Sequence, residues 1–150
     1  MSITASGLYG LTLEKIFIDT AAETLEGEDN TLALVEDAHT PAFDTHDFAA
    51  DLTDEITGGN YGREDVTTTE LTLATGTLTF DAADTVFDNG GSDDVTIVDA
   101  MAAALILLKT TDADSPLFGL WDFVTAASCS NSTFTCQWAA AGLLTLDYTP

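Results

Sequence analysis

The sequence predicts a mainly β chain: an antiparallel β-sandwich or barrel-like domain with a short helix near its N-terminus. Three observations lead there. Apolar residues alternate with Thr and other polar residues in seven separate stretches, the period of half-buried antiparallel strands. Gly, Asp and Asn clusters such as "ITGGNYG" and "DNGGSDD" punctuate them, as turns do. At 150 residues and 45% hydrophobic, the chain can bury a core as one domain.

Taken in order, "GLYGLTLEKIFIDTAAETL" spaces Leu8, Leu11, Ile16 and Phe17 as a helix does over part of its length. It predicts a short helix within an N-terminal arm segment, 1–28, ahead of a β-sandwich over 29–150. Leu32 and Leu34 share one face of "TLALVED", and Leu71 and Leu73 one face of "TTTELTLAT". Leu78 and Phe80 do so in "GTLTFDA", Val95 and Ile97 in "DVTIVDA", and Leu117, Trp121 and Phe123 in "PLFGLWDFV". The last two strands align Phe134, Cys136 and Trp138, then Leu144, Leu146 and Tyr148. "VDAMAAALILLKT" fits a helix with Val98, Met101, Ala102, Leu105 and Leu108 on one face, or a central strand apolar on both faces. Its continuity with "DVTI" favours the strand, whose second face must then meet the N-terminal helix, another sheet or a neighbouring subunit.

The charge balance narrows function. There are 26 Asp and Glu against 3 Lys and Arg (Lys15, Arg63 and Lys109), for a net charge of -23. Three scattered cations supply no footprint for nucleic acid, an anionic membrane repels the chain, and no cation accompanies a glycine-rich phosphate loop. At about 1 M salt the Debye length is roughly 3 Å, which removes most of the acidic self-repulsion. Scarce lysine, abundant Asp, Thr and Ala, and an apolar core together point to a protein made for molar salt. The start "MSITASGLYGLTLEKIF" lacks a basic leader and does not read as a secretory signal. The longest apolar run, "AMAAALILL", is too short to span a bilayer as a helix.

The stretch "AHTPAFDTHDFAADL" holds the only two histidines, His39 and His46, among Asp37, Asp44, Asp47 and Asp51. A metal reading takes His46 with Asp44 or Asp47, and His39 beside them. Zinc needs three or four converging ligands, so the preferred reading is no metal: Asp44 caps a short helix from Thr45 to about Asp51, with His46 in its first turn. Asp47 and Asp51 are then solvated acids, Asp47 near the positive helix end. "DNGGSDD" (Asp88 to Asp94) has a calcium-loop composition without EF-hand spacing and reads as an acidic turn. Many carboxylates imply weak cation binding and no dedicated cofactor. Cys129 and Cys136 flank a turn-rich loop that a disulfide would clip in an oxidising setting, worth roughly 2–3 kcal/mol. Asn131-Ser132-Thr133 inside that loop is a glycosylation sequon. No nucleophile elbow, Cys–His pair or dinucleotide fingerprint is present, so no catalytic residues are assigned and an enzyme is not expected.

Three segments in register then carry a resemblance. "TLALVEDAHTPAFDTHDFAADLTDEITGGNYGRED", "AALILLKTTDADSPLFGLWDF" and "FTCQWAAAGLLTLDY" follow in that order from Thr31 to Tyr148. Their order and spacing resemble those of small virion structural proteins of tailed phages. The chain departs from that pattern at His39, where an aromatic precedes the Thr-Pro turn, and at Arg63-Glu64, which replace a glycine pair. The resemblance implies a structural protein of a tailed virus; the acidity suggests a halophilic host. A capsid decoration or turret protein is the first expectation. It would be a homo-oligomer on the outer shell, partnered by the major capsid protein and other virion proteins, without genome or membrane contact. Synthesis would be in the host cytoplasm and residence in the extracellular virion. A tail or baseplate component is the alternative, and a module binding host-surface glycan through exposed Tyr or Trp is another.

Overall fold

A computed structural model of the chain describes residues 3–17, 25, 30–67, 69–107 and 110–147. The 18–24 continuation of the helical stretch, the Phe17 side chain, Leu108, Lys109 and Tyr148 lie outside the description. The described residues are mainly β, with 48% of them in strands and 8% helical. The described elements are β1 (Gly7–Leu8), α1 (Gly10–Phe17), β2 (Asn30–Glu36), a 3₁₀ turn (Ala49–Asp51), β3 (Glu64–Asp65), β4 (Glu70–Ala74) and β5 (Thr77–Asp81). They continue with β6 (Thr85–Phe87), β7 (Val95–Leu107), β8 (Leu117–Ser132), β9 (Phe134–Cys136) and β10 (Leu144–Asp147). All pairings are antiparallel: β1-β8-β7-β2-β3, β10-β5-β4 and β6-β9.

The alanine-rich stretch is a strand, and its position explains its composition. β7 lies between β8 and β2, buried on both faces from Met101 to Leu107. On one face Ala103, Leu105 and Leu107, with Leu32 and Leu34 of β2, meet Phe80, Phe87 and Cys136 of the two smaller sheets. This gives the sandwich-like layer. On the other face Ala102, Ala104 and Ile106, with Ala33 and Val35, meet Ile3, Tyr9, Ala49 and the partly buried Phe43 and Leu52. Small alanines let these layers approach closely, while each fully buried Leu or Ile adds about 1.5–3 kcal/mol.

Two-sided cover changes what β2 looks like. The sequence suggests half-burial, yet Asn30 to Val35 are all buried. The N-terminal segment supplies part of the cover: β1 pairs Gly7 with Leu120 and Leu8 with Gly119, and Ile3 and Tyr9 enter the core. Gly7 permits the approach, because a Cβ there would lie 2.9 Å from the Phe43 ring.

The expected single face of Leu117, Trp121 and Phe123 is broken by a bulge. Leu105 pairs with Gly119 and Ile106 with Leu117, leaving Phe118 as the extra residue. Leu117 therefore joins the Tyr9 side of the core, while Phe118, Trp121 and Phe123 join the sandwich side. The Phe118 ring meets Phe80 edge-on, with centroids 6.1 Å apart.

Candidate functional site

The segment bearing the two histidines lies across the second face of the five-stranded sheet. Backbone hydrogen bonds fix its course. His39 N–H donates to the Glu36 carbonyl (3.1 Å), and His46 N–H to the Ala42 carbonyl (2.8 Å). Leu117 N–H donates to the Asp47 carbonyl and Ala49 N–H to the Ser115 carbonyl, 2.9 and 2.8 Å. The segment is thus stitched to the start of β8, with an isolated bridge between Phe48 and Pro116.

The Asp44-capped helix from Thr45 to Asp51 does not form. Only Ala49–Asp51 make a 3₁₀ turn, because the Thr45–Asp47 backbone is drawn into turn bonds to Ala42 and into pairing with Leu117. The capping carboxylate is Asp51, which reaches back to accept from Asp47 N–H (2.9 Å) and Phe48 N–H (3.1 Å). Those two hydrogen bonds hold the Asp51 carboxyl below its ordinary range. Asp44 is exposed. Asp47 is taken by Lys15, whose Nζ donates to its Oδ1 at 2.7 Å and sits 4.2 Å over the Phe48 ring.

The histidines converge. His39 is fully buried, and its Nδ1 lies 3.1 Å from Thr53 Oγ1. Its ring centroid is 5.9 Å from that of His46, and His46 is stacked on buried Tyr9 at 6.3 Å. Burial pushes the His39 imidazole below its ordinary pKa, and His46 adds to this; Asp54 and Thr53 oppose it. Burial and the charge of Asp51 push the Tyr9 phenol up. Tyr9 Oη, His39 Nε2 and His46 Nδ1 are buried without a hydrogen-bond partner among the described residues. Of the sequence candidates His39, Asp44, His46 and Asp47, the two histidines take part and the two carboxylates do not. Tyr9 escaped the sequence reading because nothing local links it to residue 46; the β1–β8 register does. Among the described residues no three His, Cys, Asp or Glu side chains form a metal-binding group.

The other sequence candidates separate. The Cys129–Cys136 disulfide is not formed: both thiols are free. Cys129 faces the Val95 carbonyl from β8, while Cys136 is buried in β9 opposite Thr85, its thiol pushed up to about 12 by burial and Asp84. Asn131 is exposed at φ 47, so its sequon stands at the surface. The Asp88–Asp94 stretch is a self-bonded turn: Gly91 N–H donates to Asp88 Oδ1 and Asn89 Nδ2 to Asp94 Oδ1, both 2.9 Å. Trp121 and Trp138 pack edge-on with ring centroids 5.6 Å apart; both are partly buried, as is Tyr61, while Tyr9 is buried.

Arg63 organises a network that sequence spacing did not reveal. It donates to both Glu55 oxygens (2.9 and 2.7 Å) and both Asp112 oxygens (2.7 and 3.1 Å). Tyr61 Oη accepts from Leu34 N–H (2.9 Å) and donates to Glu55 Oε1 (3.1 Å). Arg63→Ala is expected to cost about 2 kcal/mol in urea unfolding, within the range for bonds to charged groups and discounted for partial exposure. Arg63→Lys is expected to recover less than half, since an ammonium cannot span two carboxylates with a planar fork. Equal stability of the Ala variant and the parent would show that the network contributes nothing.

No family model, curated protein or solved structure matches the chain. Among the described residues no helix is long and apolar enough to cross a membrane.

Proposed function

We propose that the chain is a structural subunit on the outer shell of a tailed virus, a decoration or turret (cement) protein that self-associates in molar salt. The carrying observation is the apolar face of the three-stranded sheet, which extends beyond the surface it covers. Leu71, Phe80 and Leu144 align in one row, and Phe80 meets Phe118. Leu73, Leu78 and Leu146 form the next row, and there Leu73 is 66% and Leu146 49% exposed. A cavity of about 320 Å³, lined almost wholly by apolar side chains, opens between this sheet, α1 and Phe118.

The charges of these three strands stand at their ends, on Glu70, Asp81 and Asp147. On a chain of net charge -23, such an uncharged patch is where a second copy can approach with least repulsion once salt screens the rest. A closed, self-complementary contact would bury the leucines and present an acidic exterior, and burial between subunits and against the major capsid protein would reinforce the shell. The register of the three sequence segments with small tailed-phage virion proteins supports the same reading.

Size-exclusion chromatography with light scattering in molar KCl tests the assembly. The parent is expected to be oligomeric and Leu73→Asp/Leu146→Asp monomeric at unchanged circular dichroism. A monomeric parent overturns self-association through this face. On purified virions, a copy number comparable to that of the major capsid protein supports a shell position; a few copies per particle place the chain in the tail instead, and absence from virions ends the reading.

A further inference from the structure

We propose that His39, His46 and Tyr9 form a binding site for one late first-row divalent ion of the zinc or copper class, stapling the N-terminal segment to the histidine loop. Tyr9 and His39 are fully buried, and each presents a polar atom with no hydrogen-bond partner among the described residues; so does His46 through its buried Nδ1. Leaving three such atoms unsatisfied in one contiguous set of rings is costly, so a ligand that accepts all three is favoured.

The spacing of the two imidazole rings is one that a shared ion accommodates. Two imidazole nitrogens at about 2.0–2.1 Å from one ion put their ring centroids roughly 5–6.5 Å apart. The His39 and His46 centroids are 5.9 Å apart. A metal-binding imidazole also anchors its second nitrogen to a neighbouring group, which fixes the tautomer. His39 Nδ1 lies 3.1 Å from Thr53 Oγ1; in the tautomer that carries its proton on Nδ1, this contact anchors the ring and leaves the Nε2 lone pair free. Two neutral imidazoles and a phenol oxygen suit zinc, copper, nickel or cobalt, whereas calcium and magnesium prefer the carboxylates abundant elsewhere on the chain. Asp51 adds negative charge beside the set, and its Oδ2 is held by Asp47 and Phe48 N–H. The ion differs from the one sequence spacing suggested: Asp44 and Asp47 take no part, and the third group comes from 37 positions upstream of His46.

Cobalt(II) is the probe, added to chelator-treated full-length protein in excess Mg²⁺ so that surface carboxylates are occupied. One Co²⁺ per chain is expected, with visible ligand-field bands of a nitrogen-ligated low-coordinate ion and a rise in melting temperature. His46→Gln, at a partly buried position, is expected to abolish the bands at unchanged circular dichroism. Thr53→Ala, which leaves all three groups in place, is expected to weaken binding about 10–100-fold. Asp44→Asn and Asp47→Asn are expected to bind as the parent does. Should His39→Gln fail to fold, imidazole nitrogen NMR of the parent with and without Zn²⁺ reports the same ligation directly. Absence of stoichiometric Co²⁺ binding, or binding unchanged in His46→Gln, overturns the site.

Discussion

The melting temperature is expected to rise by on the order of 10 °C or more between low salt and molar KCl. The driving term is the acidic surplus, 26 carboxylates against 3 cations. The two described cations are already committed, Lys15 to Asp47 and Arg63 to Glu55 and Asp112. The fold places further acids against each other. Glu64, partly buried, is held above the ordinary carboxyl range first by burial and then by Asp88 and Asp65. In water containing about 0.01 M salt, screening reaches only about 30 Å, so these charges act across the whole domain; at 1 M it shrinks to about 3 Å. Relief of even 3–4 kcal/mol of repulsion corresponds to roughly 10 °C for a chain of this length. Asp88→Asn should therefore stabilise at low salt and lose most of that advantage in molar KCl, because only the screened term is removed. A scan by calorimetry at several KCl concentrations decides: a flat profile, or an equal Asp88→Asn gain at all salts, shows that self-repulsion does not govern stability. Sulfate is the wrong salt for this purpose, because it also strengthens apolar burial by exclusion.

Legibility in the sequence followed how local the determining interaction is. The β character was readable because alternation is a property of neighbours: Leu71 and Leu73 on one side, Thr72 on the other, need nothing distant. The two-sided burial of β2 was not, since Thr31 and Ala33 look like a polar face until the N-terminal segment and the histidine loop are laid over them. β7 sat between these cases, as its alanines fit either a helix face or a strand between two layers, and continuity with "DVTI" decided correctly. The short strands Gly7–Leu8, Glu64–Asp65 and Thr85–Phe87 carry too few residues to show a period. In the candidate site, His39 and His46 were visible as chemical residues, but Tyr9 was not. Thr-Pro and Asp-Thr-His favoured a capped helix locally, and pairing of Asp47 with Leu117 overrode that preference. The meeting of Tyr9 with His46 depends on Gly7 opposing Leu120 and on a glycine small enough to accept the Phe43 ring.

Phe118→Ala is expected to cost about 3–5 kcal/mol, the range for deleting a buried aromatic side chain. The residue is 1% exposed and is the extra residue of the β8 bulge. Its backbone should persist in the variant, because the Phe118 carbonyl accepts from Tyr9 N–H at 3.0 Å whatever the side chain. Part of the loss falls on the edge-on packing against Phe80, a contact between the five-stranded sheet and β10-β5-β4. The location adds a second consequence. Phe118 also lines the apolar cavity beneath that sheet, so its removal enlarges a void already there instead of allowing collapse, which puts the cost toward the upper end of the range. Hydrogen exchange in β4, β5 and β10 should accelerate before the rest of the domain, as the three-stranded sheet becomes a separate opening unit. Leu120→Ala provides the contrast, since Leu120 packs on the Tyr9 side of β8: it should lower global stability by about 2–5 kcal/mol without selective opening of the three-stranded sheet. Phe118→Leu should cost less than the Ala change, leaving part of the contact. If the Phe118→Ala and Leu120→Ala variants show the same exchange pattern, the sandwich is held by something other than the Phe118–Phe80 contact.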